Sequence, residues 1–117
     1  MNDTRRAPRH SVRHPIPVSD AMTGETIGRM ANISATGMLL VSASALVEDA
    51  LYQLQFVLDN GSGRRTRIDV GAHVQWIGPA NTPGQAWVGL RFLTVSDAHA
   101  ERLRQWMTTL DALPGWP

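Results

Sequence analysis

RIDVGAHVQW, residues 67–76, decides the fold. Ile68, Val70, Ala72, Val74 and Trp76 alternate with Arg67, Asp69, Gly71, His73 and Gln75. A period of two puts the first set on one face of an extended chain, the signature of a half-buried strand. Upstream, Tyr52, Leu54, Phe56 and Leu58 alternate in the same way with Gln53, Gln55 and Val57. The intervening Asp59-Asn60-Gly61-Ser62-Gly63 consists of residues that tolerate positive φ, as a hairpin loop requires. The two segments read as neighbouring antiparallel strands.

The same reading extends in both directions. Residues 12–18 form a short extended segment that Pro15 and Pro17 confine to an edge, because proline cannot donate to a ladder. Residues 20–24 read as a turn and 26–33 as a strand; 34–37 break the pattern, and 38–41 resume it as a short buried run. Residues 42–50 are compatible with a loop or one helical turn. Residues 78–84, with Pro79 and Pro83, form a further turn, and Val88, Leu90 and Phe92 mark a last strand. Ser96 then caps a helix whose first turn carries Asp97, an acid that complements the helix dipole. Leu103, Trp106, Met107 and Leu110 share one face of that helix, and Pro114-Gly115 end it.

Short strands, hairpins and one helix predict an all-β protein. The expected architecture is a small six-stranded antiparallel split β-barrel, with the C-terminal helix covering an open end. Closure removes edges that would otherwise pair with neighbours. Residues 1–11 show no hydrophobic period and are expected to be a flexible basic arm, leaving 12–113 as barrel plus helix in a single domain.

Composition narrows the function. The chain has 117 residues, 43% of them hydrophobic, and no apolar run approaches the ~18 residues of a membrane span. The arginine-rich start lacks the apolar segment of a secretory signal. With no cysteine there is neither a disulfide framework nor a thiolate metal site. These features predict a cytoplasmic protein that does not insert into membranes. His10, His14, His73 and His99 are scattered and read as solvated surface residues. Asp69 and His73 share a strand face but stand roughly 13 Å apart. No activated nucleophile, buried carboxylate pair or phosphate loop is apparent. The expectation is a protein that is not an enzyme, with no cofactor and no metal.

Two features remain. RRAPRHSVRH, residues 5–14, gathers four arginines and two histidines with no acid, whereas the other 107 residues hold seven arginines and ten acids. Taken alone this is a solvated basic tail with weak affinity for polyanions. Separately, Asn32-Ile33-Ser34-Ala35-Thr36-Gly37 ends a strand in two small polar side chains and a glycine. Asn32 and Ser34 have equal strand parity and are expected on one face. Gly37 points to a positive φ or to a backbone that a ligand approaches closely. The bland reading of this stretch is an ordinary Asx or Ser/Thr turn.

Together, Arg5-x-x-x-Arg9 and Asn32-x-Ser34-x-x-Gly37 resemble the RxxxR and [D/N]xSxxG motifs of the PilZ domain, the bacterial receptor module for cyclic di-GMP. Arg9-x-x-x-Arg13 also fits the first motif, but the family places a proline about six residues after the second arginine. Pro15 stands so relative to Arg9. His73-Val74-Gln75-Trp76, Val88-Gly89-Leu90-Arg91-Phe92 and the terminal helix extend the likeness over residues 4–110.

The resemblance implies cyclic di-GMP as ligand. Arg5, Arg6 and Arg9 would clamp guanines and phosphates, Asn32 and Ser34 would add polar groups from the barrel surface, and Gly37 would keep the floor open. Trp76 would pack beside a base or, on its inward parity, belong to the core. Arg13 and His10 add charge alone. The chemistry is consistent: guanine O6 and N7 suit an arginine fork, and guanidinium planes stack on purines. Ligand binding would order the arm over the barrel and change a surface read by a downstream effector protein. Two other readings exist. One is a PilZ-like barrel acting by protein contacts alone. The other is a single-stranded nucleic-acid binder, against which the low aromatic content of 6% argues.

Overall fold

The computed structural model describes residues 8–59 and 63–111. Six strands are followed by one helix: β1 (His10–Asp20), β2 (Thr26–Ile33), β3 (Gly37–Ser42), β4 (Leu51–Asp59), β5 (Arg65–Pro79), β6 (Ala86–Val95) and α1 (Asp97–Asp111). All pairings are antiparallel, and the strands close into a barrel in the order β1-β2-β3-β6-β5-β4. The all-β barrel with a terminal helix is the architecture expected from the alternation.

The core is built by the residues that alternation points inward. Leu54, Phe56 and Leu58 of β4 meet Ile68, Val70, Ala72 and Val74 of β5 inside the barrel, joined by Met30, Ile33, Met38, Leu40, Val88 and Leu90. Leu103, Trp106, Met107 and Leu110 bury the inner face of α1 over the barrel end. Ser96 caps that helix, its Oγ accepting the His99 backbone N–H at 3.2 Å.

The structure corrects three sequence expectations and decides between the two readings open for residues 42–50. β1 begins at His10, two residues before the expected start. Residues 43–50 make a loop rather than a helical turn, held to β5 by Asp49 N–H to Val74 O at 2.8 Å and Val74 N–H to Ala50 O at 2.9 Å. β1 is not an edge, because it pairs with β2 on one side and β4 on the other; only three residue pairs join it to β4. Finally, His73 and His99 are not bare surface groups. His73 Nε2 lies 2.7 Å from Asp49 Oδ1, and His99 Nδ1 accepts the Asp69 backbone N–H at 3.1 Å, tying the start of α1 to β5.

Candidate ligand-binding face

Two one-residue bulges shape the outer wall. In β2 the pairing with β3 passes from Met30–Leu40 to Asn32–Leu39, which leaves Ala31 without an opposite partner. In β5 the pairing with β6 passes from Val74–Leu90 to Trp76–Gly89, which leaves Gln75 extra. Each bulge reverses the inward–outward alternation beyond it. Met30 and Ile33 are therefore both core, and Asn32 turns outward. Likewise Val74 is buried, Ile77 packs on the core, and Trp76 is 46% exposed. Trp76 is thus a surface residue, correcting the core placement that strict alternation implied.

These displaced residues line up. Ser11, Asn32, Leu39, Gly89 and Trp76 face one another pair by pair across β1, β2, β3, β6 and β5. Directly opposite residues share a sheet face, so Asn32 and Trp76 stand on one outer surface, about 14 Å apart along the sheet. The Trp76 indole lies on Gly89: a Cβ built there would meet Nε1 at 2.1 Å. Glycine inside a strand is the sequence mark of such a close approach, so Gly89 is the signal in the sequence for the seat of Trp76.

The first motif meets the second at Asn32. Arg9 donates from Nη1 to Asn32 Oδ1 at 2.8 Å, across 23 residues of chain. Arg5 and Arg6 lie outside the described residues. Arg29 and Arg91 add exposed positive charge, Arg29 on the β2 register two pairs from Asn32 and Arg91 two residues beyond Gly89.

Ser34 is not where parity put it. Ser34 is 1% exposed, so its hydroxyl is not presented beside Asn32. It accepts the Thr36 backbone N–H at 3.2 Å, while its own N–H donates to Gly37 O at 2.8 Å. The Ser/Thr turn anticipated for this stretch is therefore present, and Phe92 N–H to Thr36 O at 2.8 Å ties it to β6. Gly37 does not adopt a positive φ. Its missing side chain makes room for β6: a Cβ would come within 2.2 Å of Leu90 O. The close approach is by the neighbouring strand.

Among the described residues, no group of three or more His, Asp or Glu could hold a metal ion, and no helix is long and apolar enough to cross a membrane.

A family model described as "PilZ domain" matches residues 3–109. No curated protein matches the chain. Among solved structures, the fold is similar to the inhibitor of motility MotI/DgrA of Bacillus subtilis, at TM-score 0.76 and 18% identity over 95% of this chain and 52% of that one. It is similar to the PilZ domain of Escherichia coli YcgR with c-di-GMP, at TM-score 0.67 and 20% identity over 92% of each chain. MrkH of K. pneumonia, described as a c-di-GMP-dependent transcription regulatory factor, aligns at TM-score 0.70 and 19% identity over 92% of this chain and 51% of its own. The chain spans about half the length of MotI and MrkH.

Proposed function

Because the chain belongs to the PilZ domain family, we propose that it is a receptor for cyclic di-GMP. The observation that carries the proposal is the Arg9–Asn32 hydrogen bond, which joins the two motif segments on the surface that also holds Trp76. That surface has the chemistry a doubly anionic, two-purine ligand needs. Arg9 offers the rest of its guanidinium fork to a guanine edge or a phosphate. Asn32 aims the fork and keeps an amide group for the base. Trp76 supplies a flat face for stacking. Arg5 and Arg6 complete the clamp from the arm.

Ser34 and Gly37 serve this site indirectly. Ser34 shapes the turn that follows Asn32, and Gly37 lets β3 sit close against β6. Binding neutralises the arm and fixes it across the outer wall, so the exposed surface changes while the barrel stays as it is. A partner protein reads that new surface. The c-di-GMP in the YcgR structure and the regulatory description of MrkH support this reading. So does the fold shared with both.

The test is calorimetric titration with cyclic di-GMP, using GTP and cyclic GMP as controls. Saturable binding of the dinucleotide alone is expected. No heat of binding, or equal binding of GTP, removes the assignment.

A further inference from the structure

The outward row that carries Asn32 and Trp76 has a second outward row near it. Between the two lies a core row: Ile16, Met30, Leu40, Val88 and Ile77 pair in that order across β1, β2, β3, β6 and β5 and pack inside the barrel. One residue farther along each strand, Pro17, Arg29, Val41, Trp87 and Gly78 pair in the same order. Alternation turns this row outward again. Trp87 is partly exposed, and it belongs neither to the buried core nor to the partly buried residues packed on it. It is a second indole of the outer wall.

Two glycines lie beside the two indoles, and they differ. The space over Gly89 is filled by the Trp76 ring. Over Gly78, directly opposite Trp87, the space is open. Leaving aside its chain neighbours, a Cβ built there would meet, among the described residues, only Trp76 Cζ3 at 3.5 Å and Cε3 at 3.8 Å. The wall therefore has a notch above Gly78, bordered on one side by the benzo edge of Trp76. Trp87 borders it on the other without filling it. Trp76 and Trp87 are diagonal neighbours in the β5–β6 ladder, with backbones about 7–8 Å apart. Leu39 and Val41, both partly exposed, continue this apolar patch toward Asn32 and Arg29, and an exposed apolar patch with a polar rim marks a binding surface.

We infer that Trp87 is the second wall of a purine seat over Gly78: one guanine of the dinucleotide enters between the two indoles, while the other meets Arg9 and Asn32. The inference rests on the reading of the chain as a cyclic di-GMP receptor and says where one of its bases goes. Aromatic rings attract at centroid separations of about 4.5–7 Å, so a base above Gly78 reaches both indoles. A residue without a Cβ leaves the floor low enough for a flat ring to enter. Arg29 is exposed and has no carboxylate partner among the described residues. Standing on the row of Trp87, two strand spacings or about 10 Å away, it offers its charge to a phosphate between the bases.

The experiment is calorimetric titration of cyclic di-GMP into the parent chain, Trp87→Leu, Trp87→Phe and Gly78→Val. The indole N–H resonances of the parent are followed in ¹⁵N spectra. The Trp76 and Trp87 indole signals should both shift at saturation. Trp87→Leu should weaken binding roughly fivefold or more, and Trp87→Phe, which keeps a ring, should lose less. Gly78 has no positive φ, so Gly78→Val suits the strand while filling the notch. Its denaturation midpoint should stay near that of the parent while its affinity falls. A Trp87 that merely packed on the wall would affect the midpoint and give a signal indifferent to ligand. The inference is overturned if the Trp87 signal does not move, if Trp87→Leu or Gly78→Val binds as tightly as the parent, or if Trp87→Phe is as weak as Trp87→Leu. Each of those results, with the parent still binding, leaves the Arg9–Asn32 reading in place; a parent that gives no heat of binding removes both.

Discussion

Between β4 and β5 nine consecutive residue pairs, from Leu51–His73 to Asp59–Arg65, face one another without a slip. Between β2 and β3 there are four pairs, interrupted at Ala31. The uninterrupted wall points every second residue inward and keeps residues such as Gln53, Gln55, Arg65 and Arg67 on its outer side. The interrupted wall spends one residue on a bulge and turns Asn32 to the surface between two core residues, Met30 and Ile33. The β5–β6 ladder does the same for Trp76 beyond Gln75. Regular pairing makes the scaffold, and two departures from it, at Ala31 and Gln75, place residues of the candidate site. A bulge re-aims a side chain without disturbing the layer beneath.

If that division is real, the two walls respond to different measurements. Leu54 is fully buried in the regular wall. Leu54→Ala should cost about 2–5 kcal/mol of stability, read as a lower denaturation midpoint. Affinity for cyclic di-GMP should be unchanged in the molecules that remain folded. Arg9→Ala should do the reverse. Arg9 is exposed and touches the barrel through the Asn32 amide, so the midpoint should move little. Losing one or two charge-assisted bonds of about 1.5–3 kcal/mol each should weaken binding roughly tenfold or more in a calorimetric titration. A Leu54→Ala protein with intact stability but impaired binding, or an Arg9→Ala protein with the opposite phenotype, would erase the distinction between scaffold and site.

What could be read beforehand follows the same line. Leu54, Phe56 and Leu58 of β4, Ile68, Val70, Ala72 and Val74 of β5, and the helical face of Leu103, Trp106, Met107 and Leu110 are core, because nothing interrupts the β4–β5 register along that stretch. Strict parity misplaced Trp76, and it paired Ser34 with Asn32 on one surface. An inserted residue such as Ala31 or Gln75 carries no chemical mark that separates it from a paired one. It is visible only through its partner strand. The prolines were half legible. Their missing N–H was a sound reason to expect unpaired backbone, but which side of β1 would be unpaired depended on the β4 register. The link from Arg9 to Asn32 could be anticipated as proximity of two motifs and not as a bond, since no local pattern spans 23 residues.

The finest test of the comparison lies at Gly89, where the regular and irregular walls touch. Gly89→Ala adds one methyl group beneath the indole, within 2.1 Å of Nε1 and 2.5 Å of Cε2 in the present arrangement. The indole belongs to a half-exposed side chain that can swing outward, so stability should fall by about 0.5 kcal/mol or less. The displacement removes the flat face from the row it shares with Asn32. Base stacking on an aromatic contributes about 1–3 kcal/mol, and a tilted ring should forfeit part of this, weakening cyclic di-GMP binding by a few-fold. Trp76→Ala should lose at least as much. Combining the two should add nothing further, because both act through one ring. A Gly89→Ala protein whose Trp76 indole N–H resonance has moved while its affinity is intact would take Trp76 out of the binding face, and with it the significance of the bulge at Gln75.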